Sequence, residues 1–260
     1  MNLTNIAIFS DHPTLQTLAQ EKSQLYEIPV TQELLGTDYL LIYEFYDQSP
    51  GYICKLQKTG RQSPGPVIID FNEGKAAHRR LYGGGRNQPL ARAVGIKAGI
   101  NPTIIDTTAG LGRDSFVLAS LGCNVLLLER NPVIYELLNN GLQRALNNPE
   151  INGSIIRNMQ LIYSDAANYL QLLTKEQIPN TIYLDPMYPE RNKSALVKKE
   201  MRYFHDIAGK DDDAVKILEK AIECRPKRTV VKRPKVALPL GEIKPAATIE
   251  SKNTRYDIYF

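Results

Sequence analysis

The residues best placed to do chemistry begin with Asp106-Thr-Thr-Ala-Gly110-Leu-Gly112-Arg113-Asp114. Glycines this close together let a backbone turn sharply and lie flat against a ligand. The stretch follows Thr103–Thr107 (TIIDT), which reads as a strand, and runs into Ser115–Ser120, which reads as a helix. Strand, glycine loop and helix N-terminus in that order make a nucleotide-type binding turn. Seventeen residues beyond Gly112 a second strand, Asn124–Glu129, ends in an acid, and a carboxylate there suits ribose hydroxyls. A third strand, Met159–Tyr163, leads into Ser164-Asp165-Ala166. On the ligand-binding rim, Asp165 would accept from an adenine amino group while the Ala166 N–H donates to the ring. Asp165 equally suits a helix N-cap.

A dinucleotide fits this loop poorly. Its fingerprint wants a third glycine where Ser115 stands, and Asp114 would meet a pyrophosphate at the helix N-terminus, charge against like charge. S-adenosylmethionine carries an ammonium and a sulfonium beside its carboxylate, so an Arg113–Asp114 pair can serve it. The cofactor contacts expected from the loop and its neighbours are Asp106, Gly110, Gly112, Arg113, Asp114, Glu129, Asp165 and Ala166.

A fourth strand, Thr181–Asp185 (TIYLD), ends in Asp185-Pro186-Met187-Tyr188-Pro189. This resembles the Asp-Pro-Pro-Tyr motif of methyltransferases that modify exocyclic amino groups of nucleobases, with Met187 in place of the second proline. The resemblance implies catalytic roles for Asp185, Pro186 and Tyr188. An aryl amine is a poor nucleophile because its lone pair is delocalised into the ring. A carboxylate and a main-chain carbonyl accepting its N–H bonds would hold the nitrogen in line with the methyl group, a gain of position and electrostatics. Tyr188 would stack on the base.

These residues need a sheet to carry them. From about residue 88 strand-like and helix-like segments alternate, the pattern of a mostly parallel sheet. Later strands are expected at Arg228–Lys232, Ala247–Glu250 and Arg255–Phe260, and helices at Pro132–Leu146, Ala166–Leu173 and Asp212–Cys224. Only Ser251–Thr254 separates the last two strands, too short for a crossover helix, so they must form an antiparallel hairpin. The fold class is α/β: a seven-stranded, doubly wound sheet of five parallel strands and a C-terminal hairpin, over residues 76–260. Residues 1–75, with the runs IAIF, YLLIYEF, YICKL and PVIIDF, read as a small N-terminal α/β subdomain.

Bulk composition is that of an ordinary soluble globular protein. The chain has 260 residues, 43% of them hydrophobic and 23% charged. No run approaches the ~20 apolar residues of a membrane span, and the N-terminus lacks the basic region of a signal peptide. Cys54, Cys123 and Cys224 are few, odd in number and far apart, which argues against a disulfide framework and against a zinc site. A cytoplasmic protein is expected. Net charge is +4, and the basic residues gather in runs. Lys75, His78, Arg79 and Arg80 lead to a glycine triplet and Arg86. Arg191 and Lys193 continue through Lys198, Lys199 and Arg202, and Lys227-Arg228 precedes Lys232-Arg233-Pro-Lys235. Brought to one rim, such runs would track a phosphate backbone, with Arg79, Arg80, Arg86, Lys198, Lys199, Arg202, Lys232 and Arg233 as RNA contacts.

From about residue 75 to the end, the chain resembles the bacterial small-subunit (16S) ribosomal RNA guanine-N2 methyltransferases. LYGGGR, DTTAGLGRDSFVLASLGCNV, LERNP, YLDPMYP, KSALVKKEMR, VVKRP and a C-terminal DIY carry the likeness. It implies methyl transfer from S-adenosylmethionine to N2 of a guanine, with small-subunit rRNA or the 30S particle as partner and no obligatory protein partner. Cofactor contacts are implied at Arg113, Asp114, Glu129, Arg130, Asp165, Ala166 and Asp185. The tetrapeptide alone also permits an adenine-N6 methyltransferase of DNA or RNA. A non-catalytic rRNA-binding assembly factor is a further class, against which the intact loop, Glu129 and Asp185 speak.

Overall fold

A strand covered on both faces has no polar side to show, and the runs TIIDT, NVLLLE and TIYLD demand such a place. A computed structural model describes residues 5–60, 63, 65–72, 85–151, 153–187, 203, 206–209 and 212–260. In chain order its strands and α-helices begin with β1 (Ile6–Ser10), α1 (Gln16–Tyr26), β2 (Tyr39–Phe45) and β3 (Tyr52–Lys58). Next come α2 (Pro89–Val94), β4 (Ile104–Asp106), α3 (Arg113–Ser120), β5 (Val125–Glu129) and α4 (Pro132–Leu146). Then follow α5 (Gly153–Arg157), β6 (Met159–Tyr163), α6 (Ala166–Gln171), β7 (Thr181–Leu184) and α7 (Ala214–Glu223). The chain finishes with β8 (Arg228–Pro234), β9 (Ala247–Glu250) and β10 (Thr254–Tyr259).

The chain divides into two compact units. The first comprises Met1–Asp70, Asn131–Asn148 and Glu190–Gly209, the second Phe71–Arg130, Pro149–Pro189 and Lys210–Phe260.

In the first unit β1 pairs in parallel with β2, and β2 antiparallel with β3. Helix α4 belongs to this unit and completes its core. Asn131 caps the helix, accepting from the N–H groups of Val133 and Ile134, and Pro132 occupies the first turn, where its missing donor costs nothing. Buried Asn140 then replaces a neighbouring strand along β3: it accepts the Cys54 N–H at 3.0 Å and donates to the Tyr52 carbonyl at 2.9 Å. Gly141 is required beside it, because a Cβ there would lie 2.9 Å from the Ile69 carbonyl oxygen.

Glu136 on the same helix is fully buried and answered by three donors. Lys22 and the Tyr26 hydroxyl lie 2.6 Å from one carboxylate oxygen, and the Tyr43 hydroxyl is 3.4 Å from the other. Removing one partner of such a set strands the rest, so Glu136→Leu is expected to destabilise the protein by about 3 kcal/mol. Chemical denaturation of parent and variant checks this; equal midpoints would mean that Lys22 and the tyrosines find water instead.

In the second unit the strand order is β6-β5-β4-β7-β8-β10-β9. β6, β5, β4, β7 and β8 run parallel, while β10 pairs antiparallel with both β8 and β9. The expected doubly wound sheet with its C-terminal hairpin is therefore present. Ile105, Leu128, Ile182, Leu184 and Val231 from the strands pack with Ala166, Leu170, Leu218 and Ala221 from α6 and α7. Among the described residues no helix is long and apolar enough to cross a membrane.

Candidate active site

The sheet changes direction at β4: the chain winds outward through β5 and β6, then returns to lay β7 on the other side. Ligands of such sheets bind at the carboxyl ends of the strands flanking this switch point. The sequence delivers its glycine loop, Glu129, Asp165 and Asp185 to these ends.

The loop is held from beneath. Asp106, 2% exposed, accepts the Thr108 N–H at 3.1 Å and the Ser115 hydroxyl, so the residue in the place of a third glycine pins helix α3 to β4. Burial pushes the Asp106 carboxyl up to about 7, against the pull of those hydrogen bonds from Ser115 and Thr108. Its folded value stands above the unfolded one, so the stability it contributes is lost as pH rises from the ordinary carboxylate range through about 7. Gly110 and Gly112 take φ of +52° and +67°, a region that disfavours side chains, and Gly112 starts α3.

Glu129, at the tip of β5, reaches the loop and accepts the Gly110 N–H at 3.0 Å. A carboxylate at that place has the chemistry to accept from vicinal hydroxyls. Beside it, Arg130 is ion-paired with Asp213, and Asp165 lies 3.8 Å from the Arg130 guanidinium. Asp165 caps α6 by accepting the Asn168 N–H at 2.9 Å, and Ala166 opens the helix behind it. Asp165 therefore serves as a cap while standing at the carboxyl end of β6, where the adenine contact was expected. The Ser164 N–H bonds the Glu129 carbonyl, tying the two rim loops together.

Asp185 follows β7 directly, and its N–H donates to the Thr108 hydroxyl at 2.7 Å, joining the tetrapeptide to the glycine loop. Pro186 is buried; Tyr188 lies outside the described residues. Asp114 is turned inward from α3, 8% exposed, and accepts from the Tyr183 hydroxyl at 2.6 Å and the Lys232 ammonium at 2.9 Å. The same ammonium stands 2.7 Å from the Asp185 carboxylate. Burial pushes the Tyr183 hydroxyl well above its usual range, and the nearby Asp114 and Asp185 charges add to this. Tyr183, Thr108 and the position of Lys232 were not found in the sequence. One signal was available for Lys232: the lysine directly follows three consecutive buried residues, Thr229–Val231, on an inner strand.

Part of the basic runs lies among the described residues. Arg86 donates to the carbonyls of Lys97 and Leu121, near the amino ends of β4 and β5. Arg228, at the amino end of β8, donates to the Ala93 carbonyl. Arg233 is 8% exposed and donates to the Leu238 carbonyl, and Lys235 pairs with Glu250. Backbone carbonyls and local carboxylates are the partners these cations find. Arg79, Arg80, Lys198, Lys199 and Arg202 lie outside the described residues. Nor do the described residues include a cluster of three His, Cys, Asp or Glu side chains placed for a metal ion.

The model of the SAM-dependent methyltransferase family matches residues 47–260. A solved SAM-dependent methyltransferase from Neisseria gonorrhoeae superposes with a TM-score of 0.75 at 35% identity, covering 98% of this chain and 95% of that one. Fold, loop and match together define a class I methyltransferase whose cofactor is S-adenosylmethionine. Among curated relatives, the ribosomal RNA small subunit methyltransferase J of Tolumonas auensis is 53% identical over 205 residues, 79% of this chain and 82% of its own. The protein of the same name from Coxiella burnetii is 45% identical over 254 residues, 98% of this chain and 96% of its own. The chain belongs to the ribosomal RNA small subunit methyltransferase J family.

Proposed function

We propose that this chain transfers a methyl group from S-adenosylmethionine to the exocyclic N2 of a guanine in small-subunit ribosomal RNA, in the cytoplasm. The observation that carries the reading is Asp185-Pro186-Met187-Tyr188 at the carboxyl end of β7, hydrogen-bonded through Asp185 to the glycine loop. The names of its relatives supply the RNA class.

When bound, S-adenosylmethionine supplies an electrophilic methyl group on a sulfonium. Glu129 would hold the ribose hydroxyls, the Gly110–Arg113 backbone would line the cofactor, and Ala166 would offer its N–H to the adenine. Asp114 and Asp185 set negative charge beside a cationic ligand. Asp185 and the Pro186 carbonyl would accept the two N–H bonds of the guanine amine and hold its lone pair ready for attack. As the N–CH3 bond formed and the S–CH3 bond broke to leave a neutral thioether, the amine would lose one proton to the Asp185 carboxylate or to water. Tyr188 stacks on the base. The test is transfer of label from the cofactor to small-subunit rRNA or to duplex DNA. Label in the RNA is expected, and label in the DNA alone would overturn the reading.

The RNA contacts follow the basic runs. Neutralising Arg79 with Arg80, or Lys198 with Lys199, is expected to weaken RNA binding and to flatten its salt dependence by roughly 0.7–0.9 in slope per lost phosphate contact. Cofactor affinity should hold. Salt titrations of parent and double variants decide it; superimposable slopes would mark these residues as solvated surface charges. Base choice should survive, since phosphate contacts position a substrate and base-edge contacts select it.

A further inference from the structure

Lys232 sits in a basic run, yet its ammonium is turned away from any bulk phosphate role and into the site. On β8 it pairs with Tyr256 of β10, one residue beyond the Val231–Leu184 pair that ends the β7 ladder, which sets it level with Asp185. Its Nζ lies 2.7 Å from Asp185 Oδ2 and 2.9 Å from Asp114 Oδ2, and the Tyr183 hydroxyl donates to that same Asp114 oxygen at 2.6 Å. A continuous chain of charge-assisted hydrogen bonds therefore runs from β7 through α3 and β8 to the tetrapeptide.

We propose that Lys232 is a positioning residue for methyl transfer, which keeps Asp185 ionised and aimed as an acceptor for the substrate's amino group. Two carboxylates brought around one point repel, and without a cation between them one of the pair takes up a proton. A protonated Asp185 presents a donor to the amine and loses its grip on one N–H. Burial alone would lower the Lys232 ammonium's pKa, but Asp185 and Asp114 outweigh it and the charge persists. Among the described residues, other titratable groups of this cluster are Tyr183 on β7, Tyr256 on β10 and Asp106 at the end of β4. Tyr183 stays neutral, and Asp106 accepts from Thr108 and Ser115, while the Lys232 ammonium is shared by Asp114 and Asp185.

The inference rests on Asp185 holding the substrate's amino group, and the test separates the two. The pH profile of kcat/KM on small-subunit rRNA is measured from about pH 5 to about pH 9 for the parent, Lys232→Met and Lys232→Arg. Lys232→Met is expected to lose about tenfold or more in kcat, and its acid limb to move up by about one pH unit or more. Lys232→Arg, which keeps the charge, should leave the limb where the parent has it. Calorimetry supplies a readout without turnover: S-adenosylhomocysteine affinity of Lys232→Met should become steeper in pH below neutrality than the parent's. The slope of RNA affinity against salt should not change. An acid limb and a product-affinity profile matching the parent would overturn the inference, and a flattened salt slope with an unmoved limb would assign Lys232 to a phosphate instead. If Lys232→Met fails to fold, Lys232→Gln keeps the stem and a donor without the charge and is held to the same outcomes. A parent enzyme that methylates no RNA would instead sink the reading of Asp185.

Discussion

Asp185→Ala is expected to cut turnover by roughly 10²-fold or more while leaving RNA affinity almost unchanged. An acceptor that grips the amine chiefly in the transition state contributes to kcat, whereas phosphate contacts made elsewhere set the affinity. The side chain also answers Lys232 at 2.7 Å, so its loss removes one of the two carboxylates that the ammonium bridges. The Asp185 N–H that bonds Thr108 survives the substitution, so the loop should stay in place. Single-turnover rates, with RNA binding measured in parallel, check this. A variant with near-parent turnover would remove Asp185 from the chemistry.

Glu129→Ala is expected to weaken binding of S-adenosylmethionine and of its demethylated product by roughly 1–3 kcal/mol, because hydroxyl donors would lose their buried acceptor. Glu129 also receives the Gly110 N–H, so the same change should loosen the glycine loop. NAD should bind little to the parent: Ser115 fills the position of the third glycine and is tied to Asp106, and Asp114 stands at the start of α3. Calorimetry with both ligands settles each point. NAD bound in preference, or unchanged product affinity in Glu129→Ala, would contradict the assignment.

Much of the catalytic unit was legible because burial on both faces leaves a strong mark in a sequence. β6, β9 and α4 occupy the residues expected of them, and α4 is bounded by Asn131-Pro132, a cap and first turn visible in the sequence. Helix α1 was not legible: Gln16–Tyr26 is mostly polar, buries only Ala19 and Tyr26 and has no side-chain N-cap. The order of elements in this subdomain was not legible either: of the run PVIIDF, Val67 makes an isolated bridge to Leu56. That α4 joins the first sheet depends on Asn140 and Glu136, polar residues whose partners lie some 80 to 110 positions away. Electrostatic roles were the least legible. Charge is written in the sequence, but whether a cation meets a carbonyl, as Arg86 and Arg233 do, or a pair of carboxylates, as Lys232 does, depends on register across distant strands.

The central claim is methylation of guanine N2 in small-subunit rRNA, and one measurement meets it head on. Small ribosomal subunits and naked rRNA from a strain lacking this gene are incubated with the protein and labelled S-adenosylmethionine, and the RNA is digested to nucleosides. Label confined to N2-methylguanosine is the expected result. Label in a methyladenosine would mean that the pocket around Asp185 and Tyr188 accepts a different amine. An unlabelled digest from both substrates would contradict the account itself.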